Sequence, residues 1–403
     1  MKTKNYLMMA AFAVVMSMTC VAFTSCSTND NPVPSDVLDG DGGTIPGEFL
    51  VTKGMLVINN GSISSSIDGS LTLVDLRLDQ FVDRQNVYQN VNGESLGGTP
   101  NDVLVYGFKI YIAGSDENTV FVLDARNYKE LKKISVDDEG CINPRHLIAY
   151  GKKVYVSTYD GYVCALDTFS LEIDNKYKVG SCPEGMAISE TTATDVSLYV
   201  ANSDYGNGDG SISKINLTTG SVTEIKIDKI RYPQQLAVVE DDIYVLDGGY
   251  FDENWLQKDA GVYKIHGNDA SMVVPDATGM VVAGGTIITY NYYPYGCDKP
   301  TYSVYYMYSN SLGTFLPTGD NGNPIQSPCA IGFDRNMGYV YIASRVMDSD
   351  TGYPSYSHPG YVNAYNFDGQ FVGSAPVGVE PCAFAFIYGT SKYVSRTDRS
   401  AVR

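Results

Sequence analysis

Three observations predict an all-β chain folded as a seven-bladed β-propeller. First, a Pro followed by a small-and-apolar run recurs along the 403 residues: TPNDVLVYG from Thr99, NPRHLIAYG from Asn143, CPEGMAISE from Cys182, YPQQLAVVE from Tyr232, DATGMVVAG from Asp276 (where Ala277 replaces the Pro), SPCAIGFDR from Ser327 and EPCAFAFIY from Glu380. The proline-equivalent positions 100, 144, 183, 233, 277, 328 and 381 lie 39 to 53 residues apart, the period of an architecture built from one supersecondary unit per repeat. Second, each copy but the last is followed by two further strand-like runs. Third, the last copy lacks these runs, and the start of the chain supplies them.

The second runs are KIYIAG from Lys109, KVYVST from Lys153, SLYVAN from Ser197, DIYVLD from Asp242, TIITYN from Thr286 and YVYIAS from Tyr339. Their period of two is that of a pleated strand. The third runs are TVFVLD from Thr119, YVCALD from Tyr162, SISKIN from Ser211, GVYKIH from Gly261, SVYYMY from Ser303 and YVNAYN from Tyr361. Several end on Asp or Asn, turn residues that lead into an outer fourth strand. After Pro381 only CAFAFIY remains, and MLVINN from Met55 and SLTLVD from Ser70 complete that blade. Pairing of the N- and C-terminal strands then closes the ring and removes an open sheet edge.

The propeller is expected over 48–390, with a C-terminal tail over 391–403. Residues 1–26 read as an export signal: Lys2 and Lys4 precede an apolar run from Tyr6 to Phe23. The run ends Phe23-Thr24-Ser25-Cys26 and turns polar. A small residue before Cys26 resembles a bacterial lipobox, with Phe23 departing from the usual Leu; this marks Cys26 as the lipidated residue. Cleavage by an ordinary signal peptidase and an uncleaved anchor are the alternatives. Residues 27–47, rich in Asp, Gly, Pro and Ser, read as a flexible tether.

Composition excludes some functions. Net charge is −18, so the chain lacks the basic stripe that nucleic acid requires. Tyr is abundant (32) and Trp almost absent (1), which argues against tryptophan-rich quinoprotein repeats, and the G-H…W-D signature of WD40 repeats is missing. Beyond the signal, Cys141, Cys164, Cys182, Cys297, Cys329 and Cys382 remain. An oxidising compartment permits disulfides, and six Cys allow fifteen full pairings. Cys329 and Cys382 share one repeat position, as small buried residues of neighbouring inner strands do. No C-x-x-C pair provides a zinc site.

The blade phrases P-x-x-(Leu/Met)-Ala-(Val/Ile) and Lys/Asp-(Val/Ile)-Tyr-Val look like those of YncE-like propellers. GMLVINNGSISSSIDGSLTLVD (Gly54–Asp75), NGESLGGTPNDV (Asn92–Val103), NPRHL, VGSCPEGMA and LYVANSDYG are similar to lipid-anchored surface propellers, a group that includes the BtuG-type cobalamin-binding lipoproteins. The resemblance implies a cell-surface, outer-membrane lipoprotein whose ligand is cobalamin or another amphipathic nutrient, passed to an outer-membrane transporter. Its only membrane attachment would be the lipid anchor.

Candidate binding residues lie on loops. Four loops between second and third strands are long and aromatic: Asn202–Gly210, Asp247–Gly261, Tyr290–Tyr302 and Ser344–Gly360. They carry Tyr205, Tyr250, Phe251, Trp255, Tyr292, Tyr293, Tyr295, Arg345, Tyr353 and Tyr356. Exposed rings there favour flat amphipathic ligands; alternatively, the rings cover one another and the blade edges. Arg145 and His146 follow Pro144, and Arg231 and Tyr232 precede Pro233. They are placed to contact ligand oxygens, or to pair with acidic loops such as Asp137-Asp138-Glu139. Catalysis finds little support: three His are present, and neither G-x-S-x-G nor H-E-x-x-H occurs. No cofactor or metal site is expected, since Asp204, Asn207 and Asp209 miss the D-x-D-x-D-G spacing. An exported hydrolase or lyase on the same scaffold, or a glycan- or protein-binding propeller, is the alternative function, because propeller enzymes assemble their residues without a linear motif.

Lipidation at Cys26 is testable by fractionation. Cys26→Ala is expected to release the protein or leave an unprocessed precursor, whereas Cys20→Ala changes little; unaltered membrane association of the Cys26 variant would refute the assignment.

Overall fold

The computed structural model describes residues 48–392 apart from 77–80, 193, 241, 254–256, 293–298 and 321–322. Cys26, Trp255, Tyr293, Tyr295 and Cys297 lie outside the described residues. Seven four-stranded antiparallel sheets form the blades. The inner strands are Pro100–Tyr106, Pro144–Tyr150, Pro183–Thr192, Pro233–Val239, Gly279–Ala283, Ser327–Asp334 and Pro381–Lys392. All seven contain the recurring phrase, so every repeat starts a blade at the axis. The seventh blade has the spatial order Pro381–Lys392, Glu48–Asn59, Ser70–Asp75, Val82–Arg84. An additional two-stranded hairpin pairs Tyr250–Phe251 with Gln257–Lys258.

The second strands explain why Tyr is so common. Each is covered on both faces by neighbouring blades, so its alternate residues enter two different interfaces. Ile110 and Ile112 pack with Leu56 and Ile58 of the seventh blade. Tyr111 and Ala113 pack with Leu147 and Val156 of the second. The same register position is Tyr in five blades. Tyr155, Tyr199, Tyr244 and Tyr341 each sit, like Tyr111, in a cluster with the following blade. Ile288 holds the position in the fifth blade. Seven apolar clusters result, one for each junction between blades. An open stack of seven blades has six junctions, so the seventh cluster is the mark of closure.

The terminal pairing is longer than its sequence phrase. Glu48–Asn59 runs antiparallel to Pro381–Lys392 from Glu48↔Lys392 to Asn59↔Pro381, with irregularities at Thr52/Gly54 and Ile58/Asn59. Met55, Leu56, Val57 and Ile58 are completely buried. Burying one such side chain contributes about 1.5–3 kcal/mol. Four together rival the whole net stability of a domain, about 5–15 kcal/mol. Deletion of residues 380–403 is therefore expected to abolish cooperative unfolding. A truncated protein that melted like the full-length one in calorimetry would overturn the closure.

Candidate functional site

Each inner-strand Pro pairs with the end of the second strand, as in Pro144↔Thr158, Pro183↔Asn202 and Pro233↔Asp247. The starts of the inner strands and the loops leaving the second strands therefore share one face. The first two residues after each Pro surround the mouth of the central channel. In the second and third blades these are Arg145, His146 and Glu184.

The Glu184 carboxylate is the hub. Arg145 Nε donates to it at 3.1 Å, Tyr159 Oη donates at 2.6 Å, and His146 Nε2 lies 3.4 Å away. His146 Nδ1 faces Asp102 of the first blade at 3.5 Å, and Asp102 also accepts the backbone N–H of Leu147 at 2.8 Å. Burial alone would lower the His146 pKa. The hydrogen bonds that it donates to the Asp102 and Glu184 carboxylates, with their charge attraction, outweigh burial and hold it at about 9. Burial raises the Glu184 pKa, but His146, Arg145 and Tyr159 reverse that and hold it below the ordinary range. The cations thus find their acids at neighbouring strand starts, not in the Asp137–Glu139 turn, whose Glu139 carbonyl instead accepts Lys176.

Three arginines on this face lie over tyrosine rings. Arg145 stacks on Tyr159 (4.5 Å to the ring centre), Arg231 on Tyr250 (4.6 Å) and Arg345 on Tyr356 (5.1 Å). Arg345 is also clamped by Glu380, with Nη2 2.8 Å from Oε2. Arg231 has no ion pair among the described residues; its position is set through the backbone. The buried Asp247 carboxylate accepts N–H groups from Arg231, Tyr232 and Gly249 at 2.8–2.9 Å. Burial pushes the Asp247 pKa up to about 6 despite these three donors. The Tyr232 ring lies close against Gly248, where a Cβ would come within 2.5 Å of it.

The remaining loop residues divide. Tyr205 is 70% exposed and meets Tyr159 edge-on at 6.1 Å. Tyr250, Phe251, Tyr353 and Tyr356 are exposed. Tyr292, expected on an exposed loop, is only 7% exposed. Its backbone N–H donates to Thr278 Oγ1 at 3.0 Å, so the loop folds back at that point and buries the ring. His266 leaves a third strand and faces Asp242, away from the site. Among the described residues no His, Cys, Asp and Glu cluster is arranged to hold a metal.

Asp102, Tyr159 and Glu184 were not singled out from sequence. The available signal was register: Glu184 occupies the repeat position of Arg145, and Asp102 that of His146. Charged side chains at equivalent positions of adjacent axial strands must meet.

A cavity of about 80 Å³ opens in the channel below the mouth. Its lining mixes polar residues (Asp102, His146, Gln235) with apolar ones (Leu147, Met186, Ile331, Phe333, Phe384). A second hollow of about 490 Å³, bounded by Asp68, Ser70, Gln85, Gln89 and Pro376, has no aromatic lining.

No protein family and no curated protein matches the sequence. Solved structures match in fold. The chain is similar to the Kuenenia stuttgartiensis hydrazine synthase (TM-score 0.55, 15% identity, covering 73% of this chain and 96% of that one). It is also similar to the WD40 repeats of RRP9 (TM-score 0.50, 10% identity, covering 70% and 81%). At these identities the likeness extends to the propeller architecture alone.

The His146 cluster predicts a pH dependence. A folded pKa of about 9 against 6.5 when free means that the stabilisation is complete below pH 6.5 and is lost as pH rises through 9. The melting temperature of the wild type should fall across that window more steeply than that of His146→Gln. Parallel curves would show that His146 is not held charged.

Proposed function

We propose that this protein is a non-enzymatic ligand-binding propeller, exported and lipid-anchored at the cell surface, that captures a broad amphipathic nutrient on its channel-mouth face. One observation carries the reading: three arginine–tyrosine stacks on one face, of which the Arg231 guanidinium over Tyr250 is clamped by no carboxylate in an ion pair among the described residues. Stacked guanidinium–phenol pairs offer flat apolar area together with hydrogen-bond donors. The channel is too small to enclose such a ligand, so the ligand lies across the mouth.

The non-enzymatic part is supported by the partners of His146: its two ring nitrogens face Asp102 and Glu184, which engages both in the protein's own ion pairs. Burial raises the pKa of the Cys382 thiol, which also lines the channel, and disfavours the nucleophilic thiolate. A corrinoid such as cobalamin is the first ligand to test: it is broad, carries amide-bearing side chains and contains one phosphodiester, which suits Arg231. An outer-membrane transporter is the proposed recipient.

The test is calorimetric titration with cobalamin, supported by co-elution of red pigment on a sizing column. Arg231→Ala and Tyr250→Ala are each expected to weaken binding about tenfold or more, the loss of roughly 1.4–2 kcal/mol typical of an interfacial hot spot. Their melting temperatures should change little, because both side chains lie outside the blade clusters. No heat and no retained pigment with the wild type would reject the corrinoid. Unchanged affinity in both variants would move the site off this face.

A further inference from the structure

The pairing of cysteines is open in the sequence and is narrowed by the fold. Cys141 lies in the connection from the outer strand of the first blade to the inner strand of the second. Cys164 sits inside Tyr162–Asp167, the third strand of the second blade. Both are completely buried in the same apolar cluster. Their sulfur atoms are 2.7 Å apart across 23 positions of chain, within 1 Å of the roughly 2.05 Å of a covalent S–S bond. The other described cysteines have different neighbours. Cys329 Sγ faces the Ala343 carbonyl at 3.6 Å, Cys382 Sγ faces the carbonyls of Ile58, Pro100 and Asn101, and Cys182 Sγ is met by the Ser181 hydroxyl.

We propose that Cys141 and Cys164 form a structural disulfide that staples the connection between the first two blades to the second blade. The two thiols lose two protons and two electrons and gain an S–S bond. A donor disulfide accepts both electrons and both protons and is reduced to two thiols. In the exported setting, the donor is a dithiol–disulfide oxidoreductase; only this location depends on the export reading. The backbone around Cys141 is already set for the bond, because its N–H donates to the Val136 carbonyl at 3.0 Å and closes the turn over Asp137–Glu139. Oxidation therefore joins two positions already held together and removes freedom chiefly from the unfolded chain.

Purified full-length protein is reduced, then equilibrated with oxidised glutathione, alkylated without reductant and digested with trypsin. The expected product is one cross-linked species joining 134–145 to 154–176, the tryptic peptides that contain Cys141 and Cys164. Adding reductant to the oxidised protein should lower its melting temperature by about 5 °C, whereas the double variant C141A/C164A should show no such shift. Recovery of both peptides singly alkylated, or pairing of either cysteine with Cys182 or Cys297, overturns the proposal. The same map made on protein taken from cells tests export separately. Cross-linking by glutathione with none in the cellular sample would contradict export and leave the pairing standing.

Discussion

The whole molecule depends on one strand pairing, Glu48–Asn59 against Pro381–Lys392. A propeller blade is not a self-sufficient unit, because both faces of its sheet are apolar and each requires a neighbour. The alternation along Lys109–Gly114, with Ile110 and Ile112 turned to one blade and Tyr111 and Ala113 to the other, shows this at single-residue resolution. Without the terminal pair the stack would end on two apolar faces and two open edges. With it, every second strand is enclosed, and the large Tyr rings fill the spaces between the diverging blades.

Packing of the blades around one axis also creates the site. Seven inner strands that start at the axis bring the residues after each Pro close to those of adjacent blades. Arg145, His146, Glu184 and Asp102 meet for this reason alone. Burying the Asp102 and Glu184 carboxylates is costly unless each is paired and hydrogen-bonded, and here Glu184 takes three donors while Asp102 spans two blades through the backbone of Leu147. The result is a rigid polar hub surrounded by aromatic loops.

Those loops are held from beneath by the last residues of the second strands, which are polar and buried in five blades: Asn59, Thr158, Asn202, Asp247 and Ser344. Asn59 bridges Ser70, Thr72 and the backbone of Gly378; Ser344 accepts the N–H of Ser327; Asp247 accepts three N–H groups. These side chains tie the end of the second strand to neighbouring strands, and Asp247 also pairs the Gly249 N–H of its departing loop. Loops anchored in this way present Arg231, Tyr250 and Tyr356 with less entropy left to lose on binding.

The sequence by itself determined the architecture. The seven Pro phrases, the period-two strands and the incomplete last repeat are local patterns, and local patterns are what backbone geometry reads. It also marked Arg145, His146, Arg231 and Arg345 as residues of one face, because their positions follow from the repeat. What it did not contain was partnership. That His146 lies between Asp102 and Glu184, that Tyr159 from a three-residue loop supports Arg145, that Tyr292 turns inward, and that Cys141 faces Cys164 all depend on distances between blades. Side chains of different blades meet only when the blades pack side by side, and no period within a single repeat encodes which of them will do so.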